Sequence, residues 1–248
     1  MRIYPALLAL SLTALTALAL PSGVARAVGA ELQQETRAAA GFHRLSIDGQ
    51  VNVTLVQGAT EDVTIEAATG TLSRIHTDVH GGTLSIDAEG SHSMWQWFSG
   101  RGAGPTPRVT IHLRDLDRIE AAGSVTLDAD ALHTTDLRID FAGACNLKVR
   151  DLQGTSLRLD GSGATKAELA GKVGQQRVDL SGAGSYQAER LVSSDARVSV
   201  SGAGKAVVNA TNTLAVEISG AGKVEYVGDP KLRQSISGIG KVVRRDAD

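Results

Sequence analysis

Ser181-Gly182-Ala183-Gly184 recurs along the chain as Ser201-Gly202-Ala203-Gly204, Ser219-Gly220-Ala221-Gly222 and Ser237-Gly238-Ile239-Gly240. Weaker copies stand at Asp160-Gly161-Ser162-Gly163, Ala142-Gly143-Ala144-Cys145 and Ala122-Gly123-Ser124-Val125. The first glycines of these seven copies fall at 123, 143, 161, 182, 202, 220 and 238, with spacings of 18–21 residues. A unit that short cannot bury its own apolar face, so copies must stack on one another.

Columns read through the copies have the period of a strand. Two residues before the first glycine stand Ala121, Phe141, Leu159, Leu180, Val200, Ile218 and Ile236. Four before it stand Ile119, Ile139, Leu157, Val178, Val198, Val216 and Gln234, and the positions between are polar. The alternation resumes after the glycines with Leu127, Leu147, Thr165, Tyr186, Ala206, Val224 and Val242. Each copy is therefore extended, with one buried face, and its glycines mark a bend or a close approach of another layer. The pattern predicts an all-β chain: a β-solenoid, parallel β-helix-like, with the copies as coils at the ~4.8 Å strand spacing. An antiparallel sandwich of hairpins is the alternative. Handedness does not follow from the pattern.

A fainter copy, Leu45, Ile47, Gly49, Val51 and Val53, matches Ile119, Ala121, Gly123, Val125 and Leu127. Residues 42–243 are thus expected to form a single solenoid domain. Within it, 42–117 supply N-terminal layers interrupted by a loop at 89–108, and 118–243 supply seven regular repeats. Residues 244–248 are a tail. Residues 28–41 read as a short helical or flexible lead-in.

At the N-terminus, Arg2 precedes an uncharged Ala/Leu-rich run over 5–20, closed by Pro21-Ser22-Gly23 and the cleavage pattern Ala25-Arg26-Ala27. Residues 1–27 therefore read as a signal peptide. The apolar run is shorter than the ~20 residues that span a bilayer. The expectation is export to the periplasm or cell surface, with no transmembrane segment after cleavage.

Composition narrows the function. The 248 residues carry a net charge of −2, one cysteine, 28 glycines and only 3% aromatics. One cysteine cannot build a disulfide framework or a multi-Cys zinc site. A near-neutral chain lacks the basic surface that nucleic acid requires. Neither a nucleophile elbow nor a phosphate-binding glycine loop is present, because the Gly-x-Gly copies precede no helix. No cofactor is implied.

The opening Phe42-His43-Arg44-Leu45-Ser46-Ile47-Asp48-Gly49-Gln50-Val51, the serial Ser-Gly-x-Gly units and the closing Tyr226-Val227-Gly228-Asp229-Pro230 resemble one bacterial family. It is a domain-of-unknown-function family described as the head GIN domain of putative autotransporter adhesins, and the resemblance runs from about Phe42 to Val243. It implies an exported β-helical domain with a surface or adhesive role, and it brings no catalytic residues.

Several residues are candidates for contact. Met94-Trp95-Gln96-Trp97-Phe98 holds three of the eight aromatics in a glycine-bounded loop. Trp95, Trp97 and Phe98 would either meet a protein or sugar partner or cap an open solenoid end. Lys205, Lys223 and Lys241 share an outward column that would attract an anion, unless Glu225 and Asp229 compensate it. Asp140, Arg158 and Asp179 are expected in one outward column with Asp160 beside them. That set would be a calcium site or acid/base group, or simply a charge ladder. His76 and His80 lie too far apart on an extended chain to share a metal. Cys145 is expected in the buried column that Gly163, Gly184 and Gly204 continue, as a packed thiol. The function expected is a non-catalytic structural or interaction module of the cell envelope, touching a protein or cell-surface glycan, and exposed edges make a homo-oligomer an expected form. A carbohydrate-active β-helix protein is the alternative.

Overall fold

The computed structural model describes residues 32–88 and 105–245. They form one 13-stranded sheet wound into a β-solenoid of about 5 turns, against the seven copies counted along the sequence. The chain contributes β1 (Leu32–Ala38), β2 (Arg44–Gln57), β3 (Asp62–Ala68), a short helix α1 (Thr69–Leu72), β4 (His76–His80), β5 (Thr83–Ala88) and β6 (Arg108–Leu113). It then winds as β7 (Arg118–Gly163), β8 (Lys166–Gly182), β9 (Ser185–Gly202), β10 (Lys205–Gly220), β11 (Lys223–Val227), β12 (Lys231–Gly238) and β13 (Lys241–Arg244).

Every coil bends at a glycine. Residues before the bend build a first wall and residues after it a second, with the apolar columns of both walls facing inward. β7 pairs in parallel with β2, and from β7 to β13 successive strands pair in parallel from coil to coil. Parallel stacking places like on like, so Val178, Val198 and Val216 form one column and Leu180, Val200 and Ile218 the next. All six are buried.

The bends set the register. Gly49, Gly123, Gly143, Gly163, Gly182, Gly202, Gly220 and Gly238 all have φ between +93° and +118°. A Cβ on any of the last seven would stand 2.4–2.9 Å from the carbonyl oxygen of the glycine one coil below. Both the backbone conformation and the close approach exclude a side chain there. One expectation changes as a result. The third copy bends at Gly163 and not at Gly161, which pairs with Leu180 on the wall. The spacings of the bend glycines become 20, 20, 19, 20, 18 and 18 residues. The position two beyond the bend then reads Cys145, Thr165, Gly184 and Gly204, so Gly163 leaves the column assigned to Cys145.

The N-terminal layers do not follow chain order. Between β2 and β7 the chain makes an excursion in which β5 and β6 lie parallel to β2, on the side away from the repeats. Antiparallel pairing is confined to this end, where β4 lies on β5, β3 on β6 and β1 on β3. The expected helical or flexible lead-in is thus in part a strand, because β3 offers Leu32–Ala38 a free edge to hydrogen-bond. It also ends the core. Gln33, Glu35 and Arg37 stand opposite the buried Ala67, Ile65 and Val63, and the Arg37 guanidinium donates to the Ile75 carbonyl at 2.7 Å.

Among the described residues the opposite end has no such cover. Leu232 and Ile236 continue the columns of Leu214 and Ile218, yet are 36% and 39% exposed where their neighbours are each at 1%.

Candidate functional site

The outward face of the first wall carries two charged columns. Arg158 pairs in register with Arg177, and Arg177 with Arg197, while Asp160 pairs with Asp179. The bend at Gly163 sets Arg138 and Asp140 in the same two columns one coil earlier, and Arg118 and Glu120 before them. The expected column of Asp140, Arg158 and Asp179 is therefore corrected. Asp160 stands between Asp140 and Asp179, and Arg158 belongs to the arginine column, because moving the bend by two residues moves each side chain one column along.

The two columns interlock. Arg118 meets Glu120 at 2.6 Å and Asp140 at 3.0 Å, and Arg138 meets Asp140 at 3.0 Å and Asp160 at 3.5 Å. Arg158 meets Asp160 at 2.7 Å and Asp179 at 3.8 Å, and Arg177 closes the series on Asp179 at 2.9 Å. Arg118, Arg138 and Arg158 each bridge their own coil to the next. The hydrogen bond from Arg158 holds the Asp160 carboxyl below its ordinary pKa, and the same bond holds the guanidinium charged. Beside the acids a concavity of about 500 Å³ is lined by Asp48, Glu120, Asp140, Asp160, Asp179 and serines 162 and 181.

On the second wall Lys205, Lys223 and Lys241 do share a column. Glu225 compensates the first two, accepting from Lys223 and lying 3.3 Å from Lys205, with Arg245 at 3.6 Å. Those lysines hold its carboxyl, nine-tenths shielded from water, below its ordinary pKa, the Lys223 bond first. Asp229 instead pairs with Arg244 at 3.0 Å. Lys241 has no ion pair among the described residues.

Sequence reading missed the broader concavity beside this column. It measures about 760 Å³ and is lined by Lys148, Arg150, Lys166 and Arg190, with Glu168, Glu189, Gln187 and Asn209. Arg150 is held by Asp128 and Asp130, and Lys166 by Glu168 at 2.7 Å. Lys148 and Arg190 act on Glu168 from further away. Extending the strand alternation two residues beyond the lysine column would have found Lys148 and Glu168.

Other expectations find their places. The Cys145 thiol is buried, donates weakly to the Ala121 carbonyl at 3.6 Å and has its pKa raised by burial. His76 and His80 are exposed on β4. Trp95, Trp97 and Phe98 lie outside the described residues. The described residues before them end at Ala88, which pairs with Gly49 at the level of the bends. Among the described residues no group of three or more His, Cys, Asp or Glu is placed to hold a metal. No helix among them is long and apolar enough to cross a membrane.

Residues 41–230 match the family described as "Putative auto-transporter adhesin, head GIN domain". The chain belongs to that family. Solved structures share the fold. A protein named as a putative adhesin from Bacteroides fragilis superposes with a TM-score of 0.77 at 21% identity, over 87% of this chain and 97% of that one. Another so named, from Parabacteroides merdae, gives 0.67 at 18% identity, over 87% and 96%. One from Parabacteroides distasonis, named as a putative lipid binding protein, gives 0.67 at 19% identity, over 86% and 96%. No curated protein matches the chain.

Proposed function

We propose that the chain is an exported, non-catalytic interaction module of the cell envelope, with side walls that contact a protein or cell-surface glycan. The observation that carries this reading is the state of the carboxylates in the first-wall concavity. Glycoside hydrolysis needs one carboxyl held protonated, with its pKa raised. Here Asp140, Asp160 and Asp179 each lie within 3.0 Å of an arginine, and Asp160 is pushed the other way. The wall is a lattice of paired charges fit for recognition. Membership of an adhesin-head family supports an exported or surface setting.

For an acidic glycan, the second-wall concavity with Lys148 and Arg190 is the contact of choice, since these two cations have no ion pair closer than 4.0 Å among the described residues. The test is binding of the purified chain to immobilised acidic and neutral polysaccharides, with sugar release measured in parallel. Binding that falls about tenfold in K148E/R190E, with no sugar release, is expected. Release of sugar that disappears in D160N would replace the module with the carbohydrate-active alternative. Loss of binding in W95A/W97A, with K148E/R190E unaffected, would move the contact to the tryptophan segment.

A further inference from the structure

The two ends of the solenoid differ in shape. Among the described residues, the second wall adds three strands beyond β2 (β6, β3 and β1) and the first wall two (β5 and β4). That end is stepped. At the other end β12 and β13 are the two walls of one coil, joined through the Gly238 bend, and they finish level. A stepped end cannot seat on a level one along both walls, whereas two level ends can meet. Leu232 and Ile236 are exposed on the level end. Between them Gln234 pairs with Val216 and takes the next place in the column of Leu159, Val178, Val198 and Val216, all buried.

We propose that two copies join tail to tail about a two-fold axis that passes through Gln234 and Val242. Residues at equal offsets from a bend face each other across the solenoid, as Gly184 faces Leu180. Gln234 and Val242 are both four residues from Gly238, so they lie on one line normal to the walls. The free hydrogen-bonding groups fall in the same register. Lys241 and Arg245 donate to Gly222 and Tyr226 of the coil before, at 3.0 and 2.8 Å, which leaves Val242 and Arg244 facing the free edge. Arg138, which has the place of Arg233 in its own coil, donates to Asp117 at 2.8 Å, so Leu232, Gln234 and Ile236 face the edge of β12. About this axis β12 meets β12 antiparallel, with Leu232 opposite Ile236 and Gln234 opposite Gln234. On the other wall Val242 meets Val242. Inward faces stay inward, both walls run on from copy to copy, and the two carboxamides hydrogen-bond each other at the end of an apolar column. A polar pair of that kind fixes register at a cost in stability.

The end is basic, with five Lys or Arg against one Asp over residues 229–245. Arg244 is held by Asp229, and Arg245 by Glu189 and Glu225. The other three stand opposite neutral residues in this register, Lys231 against Ser237, Arg233 against Ser235 and Lys241 against Val243. An isologous contact closes on itself, so assembly stops at the dimer. The axis leaves the second-wall concavities of both copies on one face, and the contact stands whether or not they bind a glycan.

Sedimentation velocity of the purified chain over a concentration series tests it. A monomer–dimer equilibrium is expected, tightening in ~1 M salt, where the like charges of the two ends are screened beyond ~3 Å. Q234K sets two cations together on the axis and should weaken the dimer about tenfold with unchanged circular dichroism. Residues 233 and 235 of opposite copies form a pair ~4.5 Å apart at Cα, within disulfide reach. R233C mixed with S235C should therefore cross-link under oxidation, while either alone, and the buried Cys145, should not. A monomer at all concentrations, including one whose end instead takes up an extended acidic peptide, would overturn the proposal. So would association that weakens in salt, growth beyond the dimer, a dimer indifferent to Q234K, or cross-linking of R233C with itself.

Discussion

Gly163 lies against Gly143 so closely that a Cβ on it would stand 2.6 Å from the Gly143 carbonyl oxygen, on a backbone with φ at +93°. The substitution G163A therefore meets strain and collision together. It should destabilise the chain by about 1–3 kcal/mol in urea denaturation. G161A should cost less, since the nearest atoms there are side-chain atoms of Thr165 and Leu180 at 3.1–3.2 Å. Equal losses would contradict the bend at Gly163.

The interlocked first wall and the Glu225 cluster give a pH dependence. Asp160 and Glu225 have folded-state pKa values below their ordinary 3.8 and 4.5. The stabilisation from each is complete above those ordinary values and is lost as pH falls through the lowered folded value. Melting temperature should thus hold through neutral pH and fall from about pH 4 downward. D160N should flatten part of that fall. A profile unchanged by D160N would remove Asp160 from the account.

Inside the solenoid a chain of polar side chains runs through the apolar core. The Tyr186 hydroxyl donates to Gln176 Oε1 at 2.9 Å, Gln176 Nε2 donates to Ser193 Oγ at 2.7 Å, and Ser193 donates to the Asn209 carbonyl at 2.8 Å. Y186F leaves the Gln176 oxygen buried without that donor and should cost about 1–3 kcal/mol. Burial pushes the Tyr186 phenol far up. Its absorbance should stay that of the neutral form in alkali for as long as the chain is folded.

Cys145 offers a check on packing. Its buried thiol, with pKa raised by desolvation, should react with a thiol reagent only at the rate of unfolding. Fast labelling of the native chain would show the core open beside the Gly143 bend.

Much of the fold was legible because a strand period of two and a coil period near twenty residues are both local. Gly182, Gly202, Gly220 and Gly238 announce themselves by spacing, and so does the lysine column, since in parallel stacking equal offsets from a bend become neighbours. The third copy was misread because Asp160-Gly161-Ser162-Gly163 contains two glycines, and only the contact with Gly143 tells which one bends. That two-residue choice redistributed Arg158 and Asp160 and turned an assumed mixed column into two pure ones.

The sequence by itself determined that this chain is a stack of extended coils with glycine at the corners, for a glycine at positive φ and an alternating apolar face are written in neighbouring residues. Only the tertiary structure decided which coil sits next to which. Among the described residues β5 and β6 lie before β2 along the axis, and β1 and β4 close one end while β12 and β13 leave the other open. No local period encodes that order. It depends on which free strand edge each late-arriving segment finds to complete its hydrogen bonds.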